Sequence, residues 1–243
     1  MRLVALGVGS GFVMDQFHSN YLLETGQARL LIDAGTTIRY SLAKAGVELQ
    51  DITYILITHF HHDHAGGLSE LLLKGYWTFD EGIHKPHLMT VVIREEQLQD
   101  LEATLAPSMN NQGMTWRDFC HVVFFEEGEY EVAGVKMNCI VTDNLHCEGM
   151  ESYALRIEED GRNIVLTGDI KKLPESDLLA HIDEQTIAVI QDVTLYENPI
   201  HASLQDVLAY YPSEVLKKVW AVHYEAIIPD APIPFLKEGQ IIE

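Results

Sequence analysis

The chain predicts an α/β fold built as a single domain over residues 1–243, with two sheets face to face and helices outside them, a four-layer αββα sandwich. Two observations carry this. Apolar runs of four to seven residues recur along the chain, separated by turns and by stretches with helical spacing. No low-complexity linker divides the two halves, so they pack as one unit. The length of 243 residues leaves ample chain for a core, and 47% hydrophobic with 22% charged residues is ordinary for a soluble globular protein.

The elements follow in order. Leu3-Val4-Ala5-Leu6-Gly7 opens the chain as a strand rather than as a signal peptide. Residues 19–24 and 28–32 form two more strands around the turn Thr25-Gly26-Gln27, and Asp33-Ala34-Gly35 ends the second of them. Residues 36–45 place Ile38, Leu42 and Ala45 on one helical face. The β-branched and aliphatic run 52–57 reads as a buried strand, and a helix starts near residue 67. In the second half, residues 137–141 and 153–157 are strands, Glu159-Asp160-Gly161-Arg162 is a hairpin turn, and 163–166, 187–193 and 219–222 are further short strands. Helices fall around 175–181 and 203–210. The tail after His223, with Pro229, Pro232 and Pro234, is expected to run extended over the surface.

Between the strand at 52–57 and its helix lies the most telling stretch, Thr58-His59-Phe60-His61-His62-Asp63-His64-Ala65-Gly66-Gly67. It places four potential metal ligands within six residues, in a loop at the C-terminal end of a strand, where open α/β sheets keep their sites. Such a loop can splay His59 and His61 toward one ion and Asp63 and His64 toward a second. Imidazoles and carboxylates suit zinc and similar divalent ions, and four of them would be costly to bury unpaired. His62 is expected to point away from the metals if the side chains on either side of it face them. A two-ion site needs further ligands at strand ends. His146 follows 141–145, Asp169 follows 164–168 with Gly168 permitting a close approach, and His223 follows 220–222.

Taken together, the His-x-His-x-Asp-His loop, His146, Asp169, His223 and the strand-ending Asp33 resemble the metallo-β-lactamase-fold hydrolases over most of the chain. The resemblance implies that His59, His61 and His146 hold one ion and Asp63, His64 and His223 the second. It also implies that Asp169 bridges them and that Asp33 braces the ligand loop. The ions would be two divalent cations, zinc first and manganese as the alternative. Gln191-Asp192-Val193-Thr194-Leu195 is similar to the acidic His-Glu-Ala-Thr segment of ribonuclease Z, and Pro199-Ile200-His201-Ala202-Ser203 to its His-Ser-Thr segment. Asp192 and His201 would then form an acid–histidine pair at the leaving group, and Asp63, His201 and Asp192 would be the catalytic residues. A surface histidine beside a helix start is the plainer reading of His201.

Two departures narrow the branch. Ribonuclease Z carries a long arm that grips tRNA, and here one compact hairpin joins His146 to Asp169. A formal charge of −21 repels a long nucleic acid, and no Lys/Arg cluster offsets it. The combination is similar to cyclic-nucleotide phosphodiesterases on this scaffold, including the anti-Pycsar enzymes that destroy cyclic-nucleotide immune signals. The expected substrate is therefore a small phosphodiester, opened to a nucleoside 5′-monophosphate. The alternatives are ribonuclease Z-like tRNA 3′ processing and lactonase- or thioesterase-type hydrolysis. A non-enzymatic scaffold is disfavoured, because all seven ligand positions are retained.

The remaining features are less specific. Gly75 to Lys85 and Ala106 to Phe119 are loop-like and carry Tyr76, Trp77 and Trp116. They read either as a satellite core or as a lid or subunit contact offering rings to an aromatic substrate. His18 lies on the loop after the first strand and is a candidate substrate contact. Gly7-Val8-Gly9-Ser10-Gly11 misplaces the third glycine of a dinucleotide fingerprint and reads as a tight turn near the pocket. The three cysteines, Cys120, Cys139 and Cys147, form no Cys-x-x-Cys unit and are expected as reduced thiols, with Cys147 a possible pocket wall. A cytoplasmic homodimer without membrane contact is expected.

Overall fold

The computed structural model describes residues 1–243. In chain order the elements are β1 (Arg2–Gly7), β2 (Asn20–Glu24), β3 (Arg29–Ile32), α1 (Ile38–Ala45), β4 (Tyr54–Leu56), α2 (His62–Ala65) and α3 (Leu68–Tyr76). There follow β5 (Phe79–Asp80), β6 (Ile83–His84), β7 (Thr90–Arg94), α4 (Leu98–Met109), β8 (His121–Phe125), β9 (Gly128–Val132) and β10 (Val135–Val141). The chain ends with β11 (Tyr153–Glu159), β12 (Arg162–Leu166), β13 (Thr186–Asp192), α5 (Leu204–Tyr210), α6 (Ser213–Leu216), β14 (Val219–Val222) and β15 (Ile241–Ile242).

A seven-stranded sheet has the order β15-β1-β2-β3-β4-β7-β8, and a six-stranded sheet the order β14-β13-β12-β11-β10-β9. Side-chain alternation distributes the first sheet between two cores. Leu30 and Ile32 of β3, Leu56 of β4 and Val92 of β7 face the second sheet. Leu31, Ile55, Val91 and Ile93, their neighbours in sequence, face α1, α3 and α4 instead. Strands covered on both faces read as continuous apolar runs, which is why 52–57 shows no polar alternation. The Glu159–Arg162 hairpin turns through Asp160 at φ 53° and Gly161 at φ 72°.

Several expectations are corrected. The ligand loop is not all loop, because His61 caps the one-turn helix α2, with its carbonyl accepting from His64 N at 3.0 Å and Ala65 N at 2.8 Å. The stretch from 106 belongs to α4 as far as Met109, and residues 79–84 form a hairpin, so neither segment is wholly loop. The region around 175–181 makes two short 3₁₀ turns rather than a longer helix. The tail is tied down, not draped: Ala221 N donates to Pro234 O, Ala5 N donates to Gln240 O, and Leu236 is fully buried. No helix is long and apolar enough to cross a membrane.

Candidate metal centre

The ends of β3, β4, β10, β12, β13 and β14 converge on one spot. Asp33 and His223 leave their strands at φ 62° and 59°, a conformation uncommon for residues with a Cβ and of the kind that clusters at functional sites. His223 is held there by its backbone N–H donating to Val8 O at 2.7 Å.

Two ligand sets result. His59, His61, His146 and Asp169 form one, and Asp63, His64, His223 and Asp169 the other; the donor atoms of each set lie within 4.8 Å of one another. In the first, His61 Nδ1 lies 3.3 Å from His59 Nε2 and 3.0 Å from His146 Nε2. In the second, His223 Nε2 lies 3.1 Å from Asp63 Oδ2 and 3.4 Å from Asp169 Oδ2. A tetrahedral ion with bonds of about 2.0–2.1 Å requires ligand atoms roughly 3.3 Å apart, so these spacings fit zinc. His64 Nε2 and Asp169 Oδ2 are 3.3 Å apart, yet each is buried without a hydrogen-bond partner. Orphaned donor atoms of this kind are expensive unless something binds them. The donor set therefore fits divalent cations on geometry and on satisfaction alike.

The outer contacts fix which ring nitrogen points inward. His64 Nδ1 donates to Asp33 Oδ2 at 2.8 Å, and His146 Nδ1 donates to the Ile200 carbonyl at 2.6 Å. His59 Nδ1 donates to Thr58 Oγ1 at 3.2 Å, whose hydroxyl in turn donates to Asp33. Asp33 thus braces His64 directly and His59 through Thr58, and the part of Thr58 has no signal in the sequence. His61 presents Nε2 to Cys147 Sγ at 3.9 Å, so Cys147 stands behind a ligand and does not itself line the cleft.

Charge completes the description. Burial favours the neutral form of His59 and lowers it far below the ordinary imidazole range; it also brings His146 down to about 4. Burial acts on His64 in the same sense, but the Asp169 and Asp33 carboxylates outweigh it and raise its pKa. Burial would raise Asp63, but the His223 hydrogen bond and the nearby His64 hold it below the ordinary carboxylate range. Neutral His59 and His146 thus stand beside ionised Asp63 and Asp169, and the acidic surroundings that raise His64 mark a point that favours positive charge.

Next to the centre, His201 Nδ1 lies 3.2 Å from Asp192 Oδ2. Gln191 steadies that carboxylate through Nε2, 2.8 Å from Asp192 Oδ1, and is itself held by the Tyr211 hydroxyl, which donates to its Oε1 at 2.6 Å. Burial disfavours the charged His201 imidazole, but the Asp192 hydrogen bond and the Asp169 charge outweigh it and raise the pKa. His201 follows the loop before α5, whose N-cap Ser203 and Asp206 form a capping box. It is a half-buried cleft residue, not a surface histidine.

The centre floors a cleft of about 460 Å³. The 14 residues lining it include no Lys or Arg and three carboxylates, Asp63, Asp169 and Glu225. His62 belongs to neither ligand set, as expected, but it lines the cleft mouth. The other substrate-contact candidates are corrected. His18 is 4% exposed and lies 3.3 Å from Thr36 Oγ1, behind the cleft wall rather than on it. Trp116 is a core residue at 2% exposure. Tyr76 packs on Phe119 and Trp77 stacks on His84, and neither lines the cleft of its own chain. The glycine run ends against the centre, because a Cβ on Gly11 would meet Asp63 Oδ2 at 2.7 Å.

Comparison with known proteins agrees with this architecture. The chain is 30% identical over 228 residues to the Anti-Pycsar protein Apyc1 of Paenibacillus sp. (strain J14), covering 92% of this chain and 89% of that one. It is 30% identical over 239 residues to the protein of the same name from Bacillus phage 010DV004, covering 92% and 89%. Among solved structures, the metallo-beta-lactamase fold protein YhfI from Bacillus subtilis superposes with a TM-score of 0.75 at 15% identity, covering 99% of this chain and 98% of that one. The fold is that of the metallo-β-lactamases, and the chain is a metal-dependent hydrolase. Residues 1–240 match the profile of one family, and the chain belongs to it: the Anti-Pycsar protein Apyc1 family.

Proposed function

We propose that the chain hydrolyses small phosphodiesters, cyclic nucleotides foremost, to nucleoside 5′-monophosphates. The observation that carries this reading is the cleft: about 460 Å³, floored by two ligand sets that share Asp169, and walled without a single Lys or Arg. That volume suits a small molecule. A polynucleotide substrate needs a basic track to follow its backbone, and none borders this site.

His59, His61 and His146 would hold one ion, Asp63, His64 and His223 the other, and Asp169 both. When bound, two divalent ions would supply Lewis acidity toward the phosphoryl oxygens and lower the pKa of a water for attack. The chain's own contribution lies at the leaving group. As the bond from phosphorus to the 3′ oxygen breaks, that oxygen needs a proton. Asp192 holds His201 through Nδ1, which leaves Nε2 to deliver it. With no Lys or Arg in the walls, the ions, together with a protonated His201, would balance the charge of the substrate's phosphate. The chain is further proposed to act as a homodimer, with the exposed rings of Trp77 and Phe79 at the contact; a sedimentation measurement showing a monomer at micromolar concentration removes that part.

The test is a panel offered to metal-loaded protein: cyclic mononucleotides, cyclic dinucleotides, precursor tRNA, bis(p-nitrophenyl) phosphate, a lactone and a β-lactam. Consumption of a cyclic nucleotide with release of the 5′-monophosphate is expected. Cleavage of precursor tRNA, or of the lactone alone, overturns the reading.

A further inference from the structure

One side chain at the cleft mouth is unexplained by the metal centre. Phe12 is 88% exposed, although it sits on a loop whose base is tightly tied. The loop root is fixed by Gly9 N donating to Phe17 O at 2.8 Å and Ser19 N to Gly9 O at 3.1 Å. Phe17 N donates to Glu238 Oε1 at 2.7 Å, and His18 N to Thr37 Oγ1 at 2.9 Å. None of these ties uses the Phe12 ring. A rigid root with a bare aromatic tip forgoes the burial that normally stabilises such a side chain.

The position of the tip is specific. Gly11, the preceding residue, packs so closely on Asp63 that no side chain fits between them. The Phe12 ring stands 5.7 Å from the ring of His62, tilted 37°, and both residues line the cleft above the ligand sets. His62 is in turn edge-on to the buried His18 at 6.0 Å, which backs the pair from behind. Two adjacent π-faces thus border the entrance of a site whose floor takes an anion. No basic side chain competes for the role of gripping the substrate's remaining part. Stacking on an aromatic face grips a planar ring regardless of its hydrogen-bonding edge.

We propose that Phe12, with His62 beside it, is the stacking surface for the aromatic base of the substrate, and so selects phosphodiesters that carry a nucleobase over those that do not. The inference rests on the phosphodiesterase reading above. It accounts for the buried His18 as a positioning residue behind the platform. Because stacking tolerates any base, it predicts that purine and pyrimidine nucleotides are both accepted.

The experiment compares kcat/KM of the metal-loaded full chain for adenosine 3′,5′-cyclic phosphate and for base-free 1-deoxyribose 3′,5′-cyclic phosphate. Calorimetric binding of adenosine 5′-monophosphate against ribose 5-phosphate gives a second readout that involves no turnover. Phe12→Ala and Phe12→Leu are expected to reduce the preference for the base-bearing compound by roughly 5- to 150-fold in both readouts, since loss of one base stack is of that size. Phe12→Tyr should keep the preference. Met14→Ala, at a neighbour that is 97% exposed and outside the cleft, should leave it untouched. An unchanged preference in Phe12→Ala overturns the proposal, as does an equal loss in Met14→Ala. If Phe12→Ala instead shifts the oligomeric state at constant preference, Phe12 is a subunit contact and the proposal fails. Wild-type protein that hydrolyses neither compound overturns the phosphodiesterase reading and this inference together.

Discussion

His201 and Asp192 show how much rests on single atoms. Asp192 is 1% exposed and would be costly to ionise alone, so its pairing with His201 and the brace from Gln191 are needed to keep the pair in register. His201→Ala should retain both ions by elemental analysis yet lose turnover by roughly 10²- to 10⁴-fold; near-normal turnover would remove the assigned role. The buried thiols give a prediction of a different kind. Burial pushes the Cys120 and Cys139 thiols up to about 12 in the folded chain. An unfolded thiol titrates near 8.5, so the folded state holds these protons more tightly. Their contribution to stability is complete below about pH 8.5 and is lost as pH rises toward 12, approaching ~1.4 kcal/mol per thiol for each pH unit. Thermal melts across that range should therefore fall more steeply for wild type than for a Cys120→Ala/Cys139→Ala variant. Parallel curves would contradict this.

At the scale of elements, the segment after β3 and the helix α2 are stitched together: Ala34 N donates to His64 O at 2.6 Å and Gly67 N to Ala34 O at 2.8 Å. Gly35 lies in that seam, where any Cβ would collide with the Asp63 carbonyl and press on His18 Nδ1. Gly35→Ala should displace Asp63, cost about 1–3 kcal/mol in stability and weaken retention of the second ion against a chelator. Wild-type retention would show that the seam relaxes at no cost. The same seam shows what the sequence can and cannot disclose. The ligand histidines were legible because their spacing follows a strand of uniform apolar character. The turn of helix that seats Asp63 and His64 was not, since His and Asp are weak helix formers and tertiary hydrogen bonds hold it. The strand β7 and most of α4 leave no signal that the sequence reading uses, and of the two readings of the Trp116 segment, satellite core or lid, Trp116 itself belongs to a core. Phe12 carried no signal at all, because a lone phenylalanine in a loop reveals nothing about its exposure.

Across the whole molecule, a −21 surface surrounds a centre that, on the proposed function, has to attract a phosphate, and the charged side chains in the cleft walls other than histidine are all carboxylates. Attraction of an anionic substrate would therefore fall to the cations that the seven proposed ligands, at the ends of strands in both sheets, would hold. Asp169 is the one residue common to both ligand sets, and its Oδ2 lies within 3.8 Å of His59, His64, His146 and His223 ring nitrogens. Through Asp169 the two sets are proposed to hold two ions side by side. The most direct test is elemental analysis of purified wild type and Asp169→Ala after zinc loading and gel filtration. Wild type should retain about two equivalents of metal per chain, and the variant should lose most of both. One equivalent in wild type, or an unchanged content in Asp169→Ala, would contradict it.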